Sequence, residues 1–243
     1  MEPATYLEHL RADGEALAAA ARTAPTAPIP TCPEWDMTGL LDHTGGVHRW
    51  VDHLVATKAA AYVRRQSPAH DSFPAALDSY EEGLAQLLAT LGGTDPDQAV
   101  WNWLDQGPAP ARFWFRRMAN ETAVHRWDGE AGAGCAGAIE ADLAVDGIDE
   151  FLSFVARWLA REPVAGLAGS LHLHATDTDG EWSLVLSPDR LEHRREHSKA
   201  GAAVRGPVSD LFLWMLNRVP ASSPNLQVFG DQAIVERWRL LRF

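Results

Sequence analysis

The first half of the chain repeats apolar residues every three or four positions, which is the period of an amphipathic helix. Proline and glycine breaks divide this half into stretches, because neither residue type continues a helix well. The first break, residues 23–35, contains four prolines, and Asp36 behind it has the side chain of an N-cap. Four helices with a long connection are typical of a helical bundle. We predict these helices over residues 4–22, 37–54, 77–91 and 113–130.

The second half changes to the period of a β-strand. Residues 170–176 and 181–187 alternate apolar and polar positions around the turn sequence "DTDG", so we predict a β-hairpin. The expected fold class is α+β with two domains: a four-helix bundle over residues 1–135 and a small α+β domain over 139–243. In that second domain we also predict helices over 139–162, 208–219 and 231–243, and short strands at 202–206 and 226–230.

Composition narrows the classes of function. The chain has 243 residues, 46% of them hydrophobic and 22% charged, which is enough apolar material for packed cores. Its net charge of −12 repels phosphate backbones, so we expect no nucleic-acid partner. No apolar run approaches the roughly 20 residues that cross a bilayer, and residues 1–10 lack the features of a signal peptide. We therefore expect a cytoplasmic protein with no membrane partner, and we expect a monomer.

The two cysteines, Cys32 and Cys135, show no CxxC spacing, and we interpret them as reduced thiols. A Cys-Pro turn without a neighbouring base is a poor nucleophile, so Cys32 is interpreted as structural. Arginine supplies nearly all the positive charge and alanine is abundant, a bias typical of a GC-rich genome such as an actinobacterium's.

Two potential metal ligands share one face of the fourth predicted helix. Glu121 and His125 are four residues apart, which places their side chains one turn apart on the same side. His43, on the second helix, is a third candidate from a facing helix. Two imidazoles and one carboxylate leave a position open on a tetrahedral metal, as in catalytic zinc sites. The alternative is a surface ion pair between Glu121 and His125 with a hydrogen-bonded His43 in the core, since i,i+4 polar pairs are common on helices.

Other histidines are weaker candidates. His48 lies about 140° around the helix from His43, so we expect that the two do not both face the bundle axis. It is a candidate for contact with substrate or with a metal ligand, and a surface position is the alternative. The "HRREH" at residues 193–197 matches a metallopeptidase pattern that needs a helix packed on a core, and its neighbours are too polar for that. His172 and His174 share one face of a strand but lack a third ligand.

Two segments carry a family resemblance. The stretch "CPEWDMTGLLDHTGGVHRW" followed by "ETAVHRWDGE" resembles the actinobacterial mycothiol-dependent maleylpyruvate isomerase family. The resemblance continues through "LHLHATDTDGEW", "VRGPVSDLFLWMLNR" and "VFGDQAIVERW", and so covers nearly the whole chain. It implies a DinB-like, metal-binding four-helix bundle in the N-terminal half and a C-terminal α+β domain similar to sterol-carrier folds.

The resemblance also implies residue roles. The family's His-Glu-His metal triad falls on His43, Glu121 and His125, the three residues that helical spacing places together. An arginine of the C-terminal domain that binds thiol or substrate falls on Arg218 or on Arg205. The family further implies a divalent metal, most naturally zinc for these ligands, and mycothiol as the thiol co-substrate.

Two functions are open at this point. The first is a metal- and mycothiol-dependent enzyme that activates the thiol as a thiolate against a small electrophile, as a cis–trans isomerase of the maleylpyruvate type or as an S-transferase. The second is a non-catalytic protein that binds a metal or carries a small ligand. Turnover that depends on a thiol separates the two.

Overall fold

The computed structural model describes residues 1–66 and 68–241 of the chain. The chain divides into two compact units, Met1–Gly137 and Ala138–Phe243. The first is mainly helical and the second combines helices with a sheet, so the predicted α+β, two-domain class is confirmed. The finer likenesses, DinB-like for the first unit and sterol-carrier-like for the second, stay predictions. Within the described residues, no helix is both long enough and apolar enough to cross a bilayer.

Four helices dominate the first unit, and each encloses its predicted range. The second begins where expected, because the Asp36 side chain accepts a hydrogen bond from the Gly39 amide at 2.9 Å. The third ends at the predicted glycine pair, with Gly93 as its C-cap. The helices are α1 Pro3–Thr23, α2 Met37–Ala56, α3 Phe73–Gly92 and α4 Arg112–Gly132.

These helices pack so that α1 contacts α3 and α4, and α2 contacts the same two helices. One close approach to α4 lies at Gly129. A Cβ placed there would lie 2.6 Å from Leu17 Cδ1 on α1 and 3.3 Å from Leu40 Cδ2 on α2. The absence of a side chain at Gly129 therefore lets α4 lie close to both neighbours, which brings side chains of α2 and α4 within reach of each other.

A short hairpin between α3 and α4 is missed by the sequence pattern. Strands β1 Ala99–Asn102 and β2 Gly107–Pro110 pair antiparallel in the segment between the third and fourth predicted helices, where no strand was predicted. The two prolines of β2 read as breaks in the sequence, but a two-stranded sheet has only edge strands, and an edge tolerates a missing N–H. The indole of Trp114 donates to the Trp101 carbonyl at 3.0 Å and attaches the hairpin to α4.

The second unit is built on a five-stranded sheet with the order β5-β4-β3-β6-β7. Strands β3 and β4 form the predicted hairpin, with His174 opposite Glu181, and β6 returns parallel to β3. The strands are β3 Gly169–Ala175, β4 Glu181–Ser187, β5 Arg190–Arg194, β6 Ala202–Gly206 and β7 Gln227–Gly230. The helices are α5 Ala141–Leu159, α6 Val208–Met215 and α7 Gln232–Arg237, followed by a 3₁₀ turn at Trp238–Leu240.

Two details of the second unit were not predicted. Residues 190–194 form an edge strand paired with β4, so the "HRREH" segment does not present its histidines on a helix as the peptidase pattern requires, in agreement with the rejection of that pattern. The helix predicted over 208–219 is too long. It ends at Met215, and Asn217 adopts a positive φ of 59°, a conformation that cannot continue a right-handed helix.

We predict that Gly129→Ala lowers the free energy of unfolding of the first unit by about 1–3 kcal/mol, because the added methyl meets the fully buried Leu17. Gly92→Ala is the matched control, since no atom lies within 4 Å of its Cβ position and alanine favours the helix. Chemical denaturation of both variants measures the difference. Equal stability of the two variants would contradict the close packing of α4 on α1.

Candidate metal centre

Three side chains from two helices converge in the first unit. His43 projects from α2, and Glu121 and His125 project from α4. Glu121 Oε1 lies 3.6 Å from His43 Nε2 and 3.3 Å from His125 Nε2, and the two imidazole centroids are 4.9 Å apart. One ligand atom of each residue lies within 4.8 Å of the other two. The structure thus brings together the three residues predicted as metal ligands, and their role as ligands stays a prediction.

His125 is oriented by a buried carboxylate. Its Nδ1 lies 3.0 Å from Asp128 Oδ2, and Asp128 is fully buried. The Thr31 hydroxyl donates to the other oxygen, Oδ1, at 2.6 Å. Because an ionised carboxylate only accepts hydrogen bonds, Nδ1 carries a proton, and Nε2 is the nitrogen that offers a lone pair when the ring is neutral. Proteins commonly orient a metal-ligating imidazole through such a carboxylate.

The charge of Glu121 is balanced by Arg117, one turn earlier on α4. The guanidinium donates to Glu121 Oε2 at 2.5 Å, whereas Oε1 faces the imidazoles. Burial alone would raise the pKa of Glu121, but the charge of Arg117 and the hydrogen bonds from His125 and His43 hold that pKa well below its usual range. Glu121 is therefore an anion at neutral pH.

The cluster stabilises a positive charge on His125, beside the Glu121 carboxylate. Burial disfavours the imidazolium form of His125, but hydrogen bonds to Asp128 and Glu121, with the charges of both, outweigh burial and raise the pKa of His125 to about 9. At neutral pH a proton accordingly occupies Nε2, the atom through which a metal would bind. Two imidazoles and a carboxylate are ligands that suit zinc and similar divalent ions, so the residues fit such a metal.

Trp35 lies beside the cluster, with its ring centroid 4.6 Å from that of His43 and 6.2 Å from that of His125.

Solvent reaches the cluster from one side only. The side chain of His125 is only 7% exposed, whereas those of His43 and Glu121 are 23% and 22% exposed. The bundle therefore closes the site behind His125, and a small ligand can approach beside the other two residues.

His48 is not at the surface, which corrects one of the two interpretations offered for it. It is fully buried, with Nε2 2.9 Å from Thr122 Oγ1 on α4 and its ring 5.6 Å from that of Tyr80 on α3. The angular argument fails because α2 packs on α3 and α4 at once, so widely separated faces of α2 are both inside the bundle. Burial lowers the pKa of His48 to about 3, and the ring is neutral. A catalytic role for His48 stays a prediction.

Both candidate arginines belong to the second unit. Arg205, on β6, is exposed, and its guanidinium donates to Gln227 Oε1 at 3.1 Å. Arg218 follows α6, is half-buried, and donates to the Leu216 carbonyl at 3.1 Å. Their roles in binding thiol or substrate stay predictions.

Four residues that contact or orient the proposed ligands were not predicted from the sequence, namely Thr31, Trp35, Arg117 and Asp128. Arg117 and Asp128 stand four before Glu121 and three after His125, so all four side chains lie along one face of α4. That spacing is readable from sequence and could have been found. Thr31 and Trp35 precede α2, and no spacing rule relates that segment to α4.

Comparison with protein families covers most of the chain. The N-terminal domain model of mycothiol maleylpyruvate isomerase matches residues 7–129, and the MDMPI C-terminal domain model matches residues 142–237. A comparison with curated proteins finds no significant match.

Two solved structures share the fold. The crystal structure of the mycothiol-dependent maleylpyruvate isomerase superposes with a TM-score of 0.65 at 13% identity, over 95% of both chains. A histidine-to-alanine mutant of that enzyme gives a TM-score of 0.64 at 12% identity, again over 95% of both chains. At this identity the likeness demonstrates a common fold.

We predict that divalent metal binding to the first unit strengthens with pH up to about 9. Below its pKa of about 9 the metal-free His125 holds a proton on Nε2, and a metal must displace it. The affinity for Zn²⁺ should therefore rise by up to about tenfold per pH unit between pH 7 and 9 and then level off. Competition with a chromophoric chelator at pH 7.0, 8.0 and 9.0 measures this.

Asp128→Asn is the variant that tests the role of the His125 proton in that experiment. Removing the carboxylate charge lowers the pKa of His125, so the rise in affinity should move to lower pH. The loss of the orienting partner should also weaken binding by about 10–100-fold at the plateau. Asp78→Asn, which alters an exposed carboxylate on α3, should match the wild type. A wild-type affinity that does not vary with pH would contradict the prediction.

Proposed function

The chain belongs to the mycothiol maleylpyruvate isomerase family, and from that premise we propose that it is a metal- and mycothiol-dependent enzyme acting on small electrophiles. One observation carries the proposal beyond family membership. His43, Glu121 and His125 present three ligand atoms within 4.8 Å of one another, on a site closed on one side and open on the other. Catalytic metal sites differ from structural ones in keeping such an open position.

The proposed ligands are His43 Nε2, Glu121 Oε1 and His125 Nε2. A divalent metal bound to them, most naturally zinc, would supply positive charge that stabilises a thiolate and so lowers the pKa of the thiol co-substrate. Asp128 keeps the proton of His125 on Nδ1, and Arg117 keeps Glu121 ionised. Both supporting groups contact the proposed ligands directly, so little reorganisation of these side chains would precede binding.

The two proposed reactions, isomerisation and S-transfer, begin with the same step. The thiol loses its proton to solvent, and the sulfur forms a bond to an electrophilic carbon. In an isomerase that carbon belongs to an activated cis double bond, and the π electron pair moves onto the activating group as the C–S bond forms. Rotation follows about the resulting single bond, and return of that pair expels the thiolate and restores the double bond as trans. In an S-transferase the sulfur stays bonded to the carbon, and the displaced electron pair either takes up a proton from solvent or departs with a leaving group.

Trp35 would shield that chemistry from water. Its indole lies beside both imidazoles and places an apolar ring next to the cluster. Excluding water strengthens the attraction between a cation and a thiolate, because the effective dielectric constant falls. The half-exposed position of Trp35 is consistent with a ring that contacts a bound small molecule.

Arg205 and Arg218 are the candidates for binding an acidic group of the substrate or of the thiol. An arginine fork matches a carboxylate through two parallel hydrogen bonds, which fixes orientation as well as charge. Arg205 donates to an amide oxygen, and one of the hydrogen bonds of Arg218 goes to a main-chain carbonyl. A carboxylate is a stronger acceptor than either of these two oxygens.

Metal content and turnover test the proposal together. We expect about one zinc or similar ion in the first unit of the protein purified without a histidine tag, lost in His43→Ala and in His125→Ala. We expect thiol-dependent isomerisation of maleylpyruvate, or conjugation of a simple electrophile to mycothiol, to fall by at least about 100-fold in both variants. His53→Ala is the matched control, since it removes an exposed histidine from the same helix as His43.

The outcomes separate the enzyme from the alternative. Metal in the bundle site with no turnover, with mycothiol or any other thiol, would favour a non-catalytic metal-binding or ligand-carrying protein. A bundle site that takes up no metal even after reconstitution would overturn the proposed ligand set.

A separate prediction concerns the arginines. Lysine keeps the charge but loses the fork, so Arg205→Lys or Arg218→Lys should raise KM for an acidic electrophile by about tenfold while metal content stays at the wild-type value. Arg190→Lys, an exposed arginine on β5 paired with Glu192, is the control. If neither variant changes KM, the assignment of a substrate-binding arginine to these two positions is wrong.

A further inference from the structure

A second histidine cluster lies in the other unit, on one face of its sheet. Along β3, Leu171 and Leu173 are fully buried and lie on the same face of the sheet as Trp182 of β4. The Trp182 indole donates to Asp149 on α5 at 2.8 Å. The residues between the two leucines alternate to the opposite face. That face carries His172, which is paired with Ser183, and its neighbours His174, Glu181 and Arg205.

The segment between β5 and β6 crosses this polar face. Ser198 Oγ donates to Ser183 Oγ at 2.6 Å, and the Gly201 amide donates to Ser170 Oγ at 2.8 Å. Between these anchors and β5, His197 lies over the sheet with Nδ1 2.8 Å from Glu181 Oε2. The crossing segment thus places a third potential metal ligand, His197, beside His172 and Glu181.

His172 is buried, but its Nε2 is not satisfied by a hydrogen bond within the described part of the fold. It is only 6% exposed, and among the described residues its Nε2 has no hydrogen-bond partner. The nearest charged atom is Glu181 Oε2 at 3.7 Å, and the His197 ring centroid lies 4.8 Å away. A buried polar atom without a partner carries a free-energy penalty, and such groups in native proteins call for a ligand, an ion or a water.

We propose that His172, Glu181 and His197 form a second divalent transition-metal site, of the zinc type. One ligand atom from each lies within 4.8 Å of the other two, and the buried Nε2 of His172 lies 3.7 Å from Glu181 Oε2. Two imidazole nitrogens and a carboxylate oxygen are ligands for zinc, cobalt, nickel and copper rather than for calcium or magnesium.

His174 acts on this site as a positioning residue. Its Nδ1 lies 2.7 Å from Glu181 Oε1, so the carboxylate is held from one side while Oε2 faces His172 and His197. The His197 side chain is 75% exposed, which leaves the site open to solvent on that side. Since His197 comes from the crossing segment and the other two ligands come from strands, a bound ion would tie that segment to the sheet.

Zinc titration of the untagged, metal-stripped full chain tests the proposal. The background is the double variant His43→Ala with His125→Ala, which leaves a single ligand in the bundle cluster. We expect this background to bind one Zn²⁺ per chain. His197→Ala, made at an exposed position so that folding is not at risk, should weaken that binding at least tenfold, and so should His172→Gln. His193→Ala, which removes a neighbouring histidine of β5 outside the cluster, should leave it unchanged.

The same titration in the wild-type background keeps the two sites distinguishable. Two zinc ions per chain, reduced to one by His197→Ala, are expected if both sites bind. One zinc per chain that His197→Ala removes would support the sheet site while the bundle proposal fails. The sheet site is overturned if the double variant binds no zinc, or if His197→Ala binds as tightly as His193→Ala, in which case the cluster is a set of hydrogen-bonded side chains only.

Discussion

The hydrogen bond between His125 and the fully buried Asp128 is the interaction on which the bundle site depends. A histidine ring without it could present either nitrogen, and a half-turn would direct the lone pair away from Glu121. The carboxylate, itself held by Thr31, fixes the ring and places Nε2 3.3 Å from Glu121 Oε1. Asp128 also makes the ring more basic, which improves it as a ligand while setting a proton in competition with the metal.

That geometry requires α4 to be held at one rotation about its own axis, and contacts with α1 and α2 set that rotation. Arg126, the residue after His125, turns toward α1, where its Nε donates to the largely buried Asp13 at 2.9 Å. Gly129, one turn further on, lets α4 lie against Leu17 and Leu40 at once. The ion pair to α1 and the close packing against α1 and α2 therefore fix the rotation of α4 that directs His125 toward α2. The ligand cluster is a consequence of how α4 is packed, and a loop could not supply it with the same precision.

The sequence predicted those features whose signal lies within a single element. Helical periodicity located all four bundle helices, and the i,i+4 spacing of Glu121 and His125 is visible because it belongs to one helix. The β1–β2 hairpin was missed since its four-residue strands are too short for a periodic signal and contain prolines. His48 was misjudged because a helix buried on two sides has no single inner face. Asp128 lay within reach of a spacing argument, whereas Trp35 and Thr31 act on α4 only through the tertiary fold.

The two proposed His-Glu-His sites use the same kinds of ligand, two imidazoles and a carboxylate, and differ in how far these side chains are arranged before an ion arrives. In the bundle, every ligand stands on a helix, and Asp128 and Arg117 satisfy the groups behind His125 and Glu121. In the sheet, His172 and Glu181 stand on paired strands, but the third ligand is an exposed side chain on a connecting segment. Ordering that side chain costs conformational entropy, which the bundle ligands have largely lost already on folding. A preorganised site with an open side suits turnover, because little must move between one substrate and the next. A site completed by a ligand from its own connecting segment suits a stabilising ion, because part of the binding free energy is spent in fixing the segment to the sheet.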